Sequence, residues 1–472
     1  MPGMNKHLDD KLGSVLARRK SNGKLRRLNN TPANCVDFSS NGYLSLSTNS
    51  AVQKSLIERL QLEVAVHEKG KKILHDPHRS ILGSGGSRLL DGNSPFAESL
   101  ETKIAAFHGA EAALLFTSAY DANTGLLSCV PQVGDVIVYD ELIHASVHDG
   151  MRMSRASRRI PFAHSSILEP NLGKHDMRHQ SKNLGLHDIL RQLSKDKLTG
   201  NGETNVFICV EGLYSMDGDV AALNEVADAV DRYLPSKNGY IIVDEAHSVG
   251  ICGEKGRGLV CQLALEDRVW ARVLGFGKAM GCAGGVVLCS SITRSYLINY
   301  ARTLIYTTSM TFTSLASIDV VYDYLISGQS EPRRQHLDTL IHYTHRQLHA
   351  LCARLQPGQH HTLHVRKTPS KSPVIPVFTT HPRALSEHCQ LSGYMVRPIV
   401  APTVPAGSER VRICLHAANT AEQIDGLCSA IEVWVQNQTA VTTKPQQVGN
   451  ERGRESAEAV VDVSTRRDKP RL

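Results

Sequence analysis

Ile-Ile-Val-Asp-Glu-Ala-His (241–247) and Val-Leu-Gly-Phe-Gly-Lys-Ala-Met-Gly (273–281) are two apolar runs, the first ending in an acid, Asp244, and the second followed closely by a base, Lys278. Short apolar runs bounded by small or charged residues read as buried strands. Similar runs stand at 112–116, 136–139, 206–210, 240–243, 273–276 and 285–288, and helical spacing such as that of 223–233 falls between several of them. Near-continuous apolar strands alternating with helices predict an α/β fold with a mostly parallel sheet covered on both faces. Ligands of such sheets sit outside the carboxyl ends of the strands. Asp244 and Lys278 fall at or just beyond such ends.

Working outward, residues 7–27 carry apolar and basic positions at helical spacing, and 35–38 read as a short strand entering the turn Asn41-Gly42-Tyr43. A helix is expected over about 51–69. A glycine-rich loop, Gly83-Ser84-Gly85-Gly86-Ser87, precedes a helix with Leu100, Ile104 and Phe107 on one face. Polar residues interrupt the rhythm over 165–205, and the part at about 165–185 is expected to be a surface insertion. Residues 326–435 predict a smaller α+β region with strands near 373–378 and 410–415. The expected division is therefore an N-terminal helix and arm (1–50), a large domain (51–325), a small C-terminal domain (326–435) and a disordered tail (436–472).

The 472 residues are 41% hydrophobic and 21% charged, ordinary values for a globular protein. A net charge of +7 with no dense basic stripe excludes a nucleic-acid partner as the working expectation. The 11 cysteines include no C-x-x-C pair, and Cys209, Cys282, Cys289 and Cys414 lie inside apolar runs, as reduced thiols of an intracellular protein do. His75 and His78 read as loop residues rather than metal ligands, and no metal is expected. No apolar run reaches the ~18–20 residues of a membrane span, and the N-terminus lacks a secretory apolar core. Asp9 and Asp10 argue against a mitochondrial presequence despite Arg18-Arg19-Lys20. The ending Pro470-Arg471-Leu472 resembles a peroxisomal address of the S-K-L kind, so the expected location is peroxisomal or cytoplasmic.

A lysine among small residues can form a Schiff base, and an acid at a neighbouring strand end can hold a ring nitrogen protonated. Pyridoxal 5′-phosphate (PLP) needs both, together with a phosphate cradle and a flat side chain against its ring. Thr117-Ser118-Ala119-Tyr120 follows the 112–116 run and opens a helix, a suitable place for a phosphate. His144, after the 136–139 run, can lie on a ring, and His247 can reach a phenolic oxygen. Taken singly, Lys278 reads as a turn lysine, Asp244 as a helix cap and His144 as a structural residue; their joint presence favours the cofactor.

These residues belong to ordered motifs that span most of the chain. They are Phe-Ser-Ser-Asn-Gly-Tyr-Leu-Ser-Leu (38–46), the 83–87 loop, Leu-Phe-Thr-Ser-Ala-Tyr-Asp-Ala-Asn (115–123) and His-Ala-Ser (144–146). Glu-Gly-Leu-Tyr-Ser-Met-Asp-Gly-Asp (211–219), Val-Asp-Glu-Ala-His (243–247), Phe-Gly-Lys (276–278) and Leu-Ile-Tyr-Thr-Thr-Ser (304–309) follow. Pro-Thr-Val-Pro-Ala-Gly (402–407) and Arg-Val-Arg (410–412) complete the series. In this the chain resembles the α-oxoamine synthases, PLP-dependent transferases of fold type I.

The resemblance implies a homodimer with shared active sites and a decarboxylative condensation of an amino acid with an acyl-CoA. Lys278 would carry PLP, with Asp244 at the ring nitrogen and His144 stacked on the ring. Ser215 and His247 would meet the phenolic oxygen. Ser118, Ala119 and Tyr120 would cradle the phosphate, helped by Thr307 or Thr308 of a neighbouring subunit. Arg412 would grip the amino acid's carboxylate, Asn41 would line the pocket and Arg26 would meet the acyl-CoA. Pro-Thr-Val-Pro-Ala-Gly and Leu-Cys-Ser-Ser (288–291) lean toward alanine and a pimeloyl chain; another acyl chain or amino acid is the alternative within the group. A catalytically silent partner subunit is the alternative of another class, and the presence of Lys278, Asp244 and His144 weighs against it. Three departures stand out: Gly275 where relatives carry a phosphate-binding Thr, Ala119 in place of a Gly, and Arg88 as an added charge near the substrate entrance.

Overall fold

The computed structural model describes residues 6–28, 30–69, 81–167, 182–355 and 362–442. The expectations for His75 and His78, for most of the 165–185 segment and for Pro470-Arg471-Leu472 lie outside them.

The chain opens with a helix at Lys6–Ser21, shorter than the sequence pattern, which ends in the turn before Gly23. A two-residue strand follows, β1 (Val36–Asp37). Seven strands then build the main sheet: β2 (Ala112–Phe116), β3 (Val136–Asp140), β4 (Arg158–Phe162), β5 (Val206–Glu211), β6 (Gly239–Asp244), β7 (Ala271–Gly275) and β8 (Gly285–Cys289). Their order is β2-β8-β7-β6-β5-β3-β4. The pairs from β7 through to β4 are parallel, and β8 runs antiparallel to both β7 and β2.

The apolar runs fill both faces of this sheet, as parallel strands require. In β5, Val206, Ile208 and Val210 pack toward the helices Leu186–Leu193 and Leu223–Tyr233, while Phe207 and Cys209 pack toward the helix Ala119–Cys129. Alternation at a period of two explains the division. Each fully buried Leu, Ile, Val or Phe contributes about 1.5–3 kcal/mol relative to exposure.

Four further strands, β9 (His364–Val365), β10 (Val374–Phe378), β12 (Arg397–Ile399) and β13 (Arg410–Cys414), form an antiparallel sheet in the order β12-β13-β10-β9. The intervening β11 (Tyr394–Met395) pairs with β1, tying the N-terminal arm to this region. Arg410, fully buried, donates to the Asp217 carboxylate at 2.6 Å and to Met216 O at 3.2 Å, over the ring of Phe378. Asp217 also pairs with Arg366, and Ser372 Oγ donates to Gly218 O at 2.8 Å. These contacts fasten the loop after β5 to the second sheet.

Beyond the expected 165–185 insertion, Leu186, Ile189, Leu190 and Leu193 form a buried helical face against the sheet. The strand β4 was not anticipated, because Arg-Arg-Ile-Pro-Phe shows little apolar alternation; its Pro161 is tolerated at the sheet edge. Residues 436–442, expected to open a disordered tail, are helical instead, since the last helix runs Ala421–Thr442 and is held by buried Trp434 and Val435; the expectation for 443–472 lies outside the described residues.

Candidate active site

Parallel register brings three strand ends together: Glu211 pairs with Asp244, and Asp244 with Val273. Asp244 closes β6, and Lys278 lies in the turn just after β7.

The acid is held from two sides. Asp244 is nearly buried; its Oδ1 accepts the Ala246 N–H at 2.9 Å and its Oδ2 the Asn123 side-chain amide at 2.6 Å. Asn123 also donates to Ser146 Oγ at 3.0 Å, and Ser146 Oγ stands 2.8 Å from His144 Nδ1. The Ser146 N–H donates to the same Nδ1 at 3.2 Å, so that nitrogen is an acceptor and the neutral ring carries its proton on Nε2. Desolvation lowers the His144 pKa, the Asp244 charge opposing and the Lys278 charge adding to it. Neutral His144 is thereby wired to Asp244 through two side chains and keeps an exposed face.

His247 is buried, with Nδ1 2.7 Å from the Tyr43 hydroxyl. Burial first, then the charges of Lys278 and Arg412, push its pKa well below the ordinary range. Lys278 makes no hydrogen bond or ion pair among the described residues. Desolvation lowers its pKa, opposed by Asp244 and Glu211, so its amine is poised to act as nucleophile and base. Glu211, fully enclosed, is pushed the other way: burial and the Asp244 charge raise its pKa well above the carboxylate range.

Arg412, on β13, donates from Nη1 to Ser215 O at 3.1 Å and from Nη2 to Ser39 O at 3.3 Å, while its buried Nε has no partner. Each Nη retains a second hydrogen, so the guanidinium can still take a carboxylate. Half-buried Asn41 has its Oδ1 3.4 Å from the Tyr43 hydroxyl. Ser215 thus enters the group through its carbonyl.

Ser118 caps the helix Ala119–Cys129, with its Oγ accepting the Asp121 N–H. Tyr120 is largely exposed, and its hydroxyl donates to Asp149. Thr307 lines a small pocket of the same chain with Thr117 and Arg88; Thr308 is exposed beside it. Arg26 is exposed on the segment after the first helix, and no hydrogen bond of the site reaches it.

The departures acquire a geometry. A Cβ on Gly275 would stand 2.8 Å from Ala246 Cβ and 3.2 Å from Ala119 Cβ, so the missing side chain on β7 and the extra methyl at 119 occupy one space. Arg88 is no free charge at an entrance: it pairs with buried Glu101, which also takes Arg294 at 2.8 Å and the Leu115 N–H at 2.8 Å. That expectation is corrected: Glu101, on the following helix, holds the Arg88 guanidinium in an ion pair.

The residues fit PLP. An unpaired amine of lowered pKa, a fixed acid and a neutral histidine with a free face meet at the strand ends. Beside them, Gly285 lets the Ser118–Ala119 backbone come so close that a Cβ there would lie 2.5 Å from Ala119 N. Tyr43, Asn123, Ser146 and Glu211 were given no individual role from sequence, although each falls inside a quoted motif.

Such a sheet, with a lysine and an acid at its strand ends, is the fold of the type I PLP-dependent transferases. Residues 33–431 match the family model described as aminotransferase class I and II, and the chain belongs to that family, in its α-oxoamine synthase branch. It is 46% identical over 432 residues to an 8-amino-7-oxononanoate synthase of Emericella nidulans, covering 91% of this chain and 97% of the relative. It is 33% identical over 400 residues to a Lysinibacillus sphaericus protein of the same name, covering 84% and 87%. With an aminoacyl transferase, sphA, of Byssochlamys spectabilis it shares 32% over 424 residues, covering 88% and 84%. Among solved structures, the serine palmitoyltransferase of Sphingomonas wittichii superposes with a TM-score of 0.71 at 22% identity, over 93% of this chain and 99% of that one, a likeness of fold.

Proposed function

We propose that the chain is a PLP-dependent C-acyltransferase that condenses L-alanine with a pimeloyl thioester, releasing carbon dioxide and CoA and giving 8-amino-7-oxononanoate, the reaction named for its 46%-identical relative. The observation that carries the chemistry is the unpaired Lys278 amine of lowered pKa, in the same enclosure as Asp244.

PLP, when bound, supplies an aldehyde for an amine and a protonated ring that accepts an electron pair. Lys278 would hold it through Nζ, Asp244 through the ring nitrogen, Ser118, Ala119 and Tyr120 through the phosphate, and His144 by its flat face. Ser215 and His247 would meet the phenolic oxygen. Lys278 Nζ would take the proton from the substrate Cα, and its lowered pKa keeps an unprotonated fraction available. Arg412 binds the substrate carboxylate, with Ser39 O and Ser215 O fixing the plane of the guanidinium. Asn41 lines the pocket, and Arg26 meets the acyl-CoA.

We further infer a homodimer. The helix Lys6–Ser21 buries none of its residues within the chain, and Leu8, Leu12, Val15 and Leu16 are exposed along it. That surface suits a second copy, which would also bring Thr307 or Thr308. Sedimentation of the holoenzyme at the dimer mass supports this, and a monomer at assay concentration refutes it.

The test of the activity is CoA release by purified protein with alanine, glycine or serine against pimeloyl and longer acyl-CoAs, with the product identified by mass. Pimeloyl-CoA with alanine is expected to react best. Silence with that pair and turnover with a long chain would move the assignment to a related α-oxoamine synthase with another acyl substrate.

A further inference from the structure

Asp121 stands third in the helix Ala119–Cys129, in the turn assigned to the cofactor's phosphate, and its carboxylate already uses that turn's hydroxyls. Thr117 Oγ1 donates to Asp121 Oδ2 at 2.5 Å, and Ser118 Oγ donates to the same oxygen at 2.7 Å. Ser118 Oγ in turn accepts the Asp121 N–H at 3.0 Å, and Thr303 Oγ1 donates to the Asp121 backbone carbonyl at 2.7 Å, so the residue's backbone is held on both sides. Gly275 offers the turn no hydroxyl, and the Ala119 methyl lies against that position. The leading N–H groups of a helix have no acceptor inside the helix. A carboxylate near them is stabilised by the helix dipole.

We propose that Asp121 is a built-in competitor for the cofactor's phosphate. It keeps the turn in shape through its own negative charge, and it holds the affinity for the phosphate below what the same turn would give without it. This rests on reading Ser118, Ala119 and Tyr120 as the phosphate cradle. A phosphate monoester carries about −1.5 to −2 charges at neutral pH. Seating one beside Asp121 sets like charges a few ångströms apart in a half-buried site. The Thr117 and Ser118 hydroxyls must also turn from the carboxylate to the phosphate, each having one hydrogen to give. The Lys278 end of the site feels neither cost.

The experiment is equilibrium titration of the cofactor-stripped protein with PLP and, separately, with pyridoxal, which forms the same bond to lysine but has no phosphate. The readout is the visible absorbance of bound cofactor. Asp121→Asn keeps an acceptor for both hydroxyls and removes the charge. It is expected to tighten PLP binding about tenfold, a like-charge interaction of ordinary size for a half-buried site, and to leave pyridoxal unchanged. Asp121→Ser serves as a second variant where the first unfolds, and thermal unfolding of each verifies the fold. An unchanged or weakened PLP affinity in the folded variants overturns the proposal. Ser118→Ala separates the two ideas. Where it erodes the preference for PLP over pyridoxal but Asp121→Asn changes nothing, the cradle stands and the competitor falls. Where Ser118→Ala leaves that preference intact, the cradle reading fails and the proposal with it.

Discussion

The two ends of the site are built on different principles. At the Asp244 end the polar groups form one linked chain: Ala246 and Asn123 to the acid, Ser146 to Asn123, His144 to Ser146. At the 117–121 turn the groups are half-exposed, and one carboxylate collects the hydroxyls. The first arrangement fixes a charge and a ring where electrons must move, which is where preorganisation matters most. The second is a short local loop of hydrogen bonds that can be exchanged for a ligand. Damage to the first end should therefore appear in turnover, and damage to the second in affinity.

The sharpest test of that division is at Lys278, which is proposed both to bond the cofactor and to move the substrate proton. Lys278→Ala is expected to lower kcat/KM by ~10³-fold or more and to abolish the absorbance of a cofactor bonded to the protein, with little change in thermal midpoint. Turnover within tenfold of the parent would remove the lysine from its assigned role. A smaller effect is expected one step out. Asn123→Ala removes the link from Asp244 to Ser146 and His144. It should cost about 10–100-fold in kcat, as loss of a charge-assisted hydrogen bond of about 1.5–3 kcal/mol implies, while the Kd for PLP moves less than threefold. A variant that lost cofactor and kept kcat when saturated with it would invert the contrast.

That contrast explains what could be read before the fold was known. Asp244 and Lys278 were legible because each follows an apolar run, and strand ends are where such sheets bind ligands. Asn123 and Ser146 were not, since their roles depend on a hydrogen bond between residues 121 positions apart in the chain, at Asn123 and Asp244. Tyr43 belonged to a recognisable motif, yet nothing in that motif points to His247. Gly275 and Ala119 were read as two separate departures; only packing makes them neighbours. Arg88 misled because its partner Glu101 lies on the next helix, and charge pairing is a tertiary fact. The strand β4 and the helix Leu186–Leu193 escaped for a local reason, the first having little apolar alternation and the second lying in a polar surround.

The rigid end extends to His164, whose Nδ1 is 2.9 Å from Asp140 Oδ1 and whose Nε2 is 2.8 Å from Asp219 Oδ2. Burial opposes protonation there, but the two carboxylates outweigh it and raise the pKa to about 11. A folded-state pKa above the unfolded value of about 6.5 gives a stabilisation that is complete below pH ~6.5 and is lost as pH rises toward the folded value. His164→Gln should therefore cost about 1–3 kcal/mol at pH 6 and distinctly less at pH 10, read from urea midpoints at the two values. An equal loss at both would mean that the ring acts by packing and not by charge.

The smallest effect tests whether the adaptable end is nevertheless packed. Gly275→Thr alone drives a Cβ to 2.8 Å from Ala246 and 3.2 Å from Ala119, so it should destabilise the fold by about 1–3 kcal/mol. Ala119→Gly alone, in the first turn of a helix, should cost at most about 0.5–1 kcal/mol. Combined, the two changes should cost less than their sum, because the glycine frees one of the two methyls that the new side chain meets. Neighbouring residues of this kind couple by about 0.5–3 kcal/mol, and the contact with Ala246 that remains places this pair near the low end. The cycle is read from thermal midpoints of the four proteins with PLP removed, which keeps cofactor affinity out of the comparison. Strict additivity would mean that the turn moves away from β7 without cost, and the adaptable end would then be loose in its packing as well as in its hydrogen bonds.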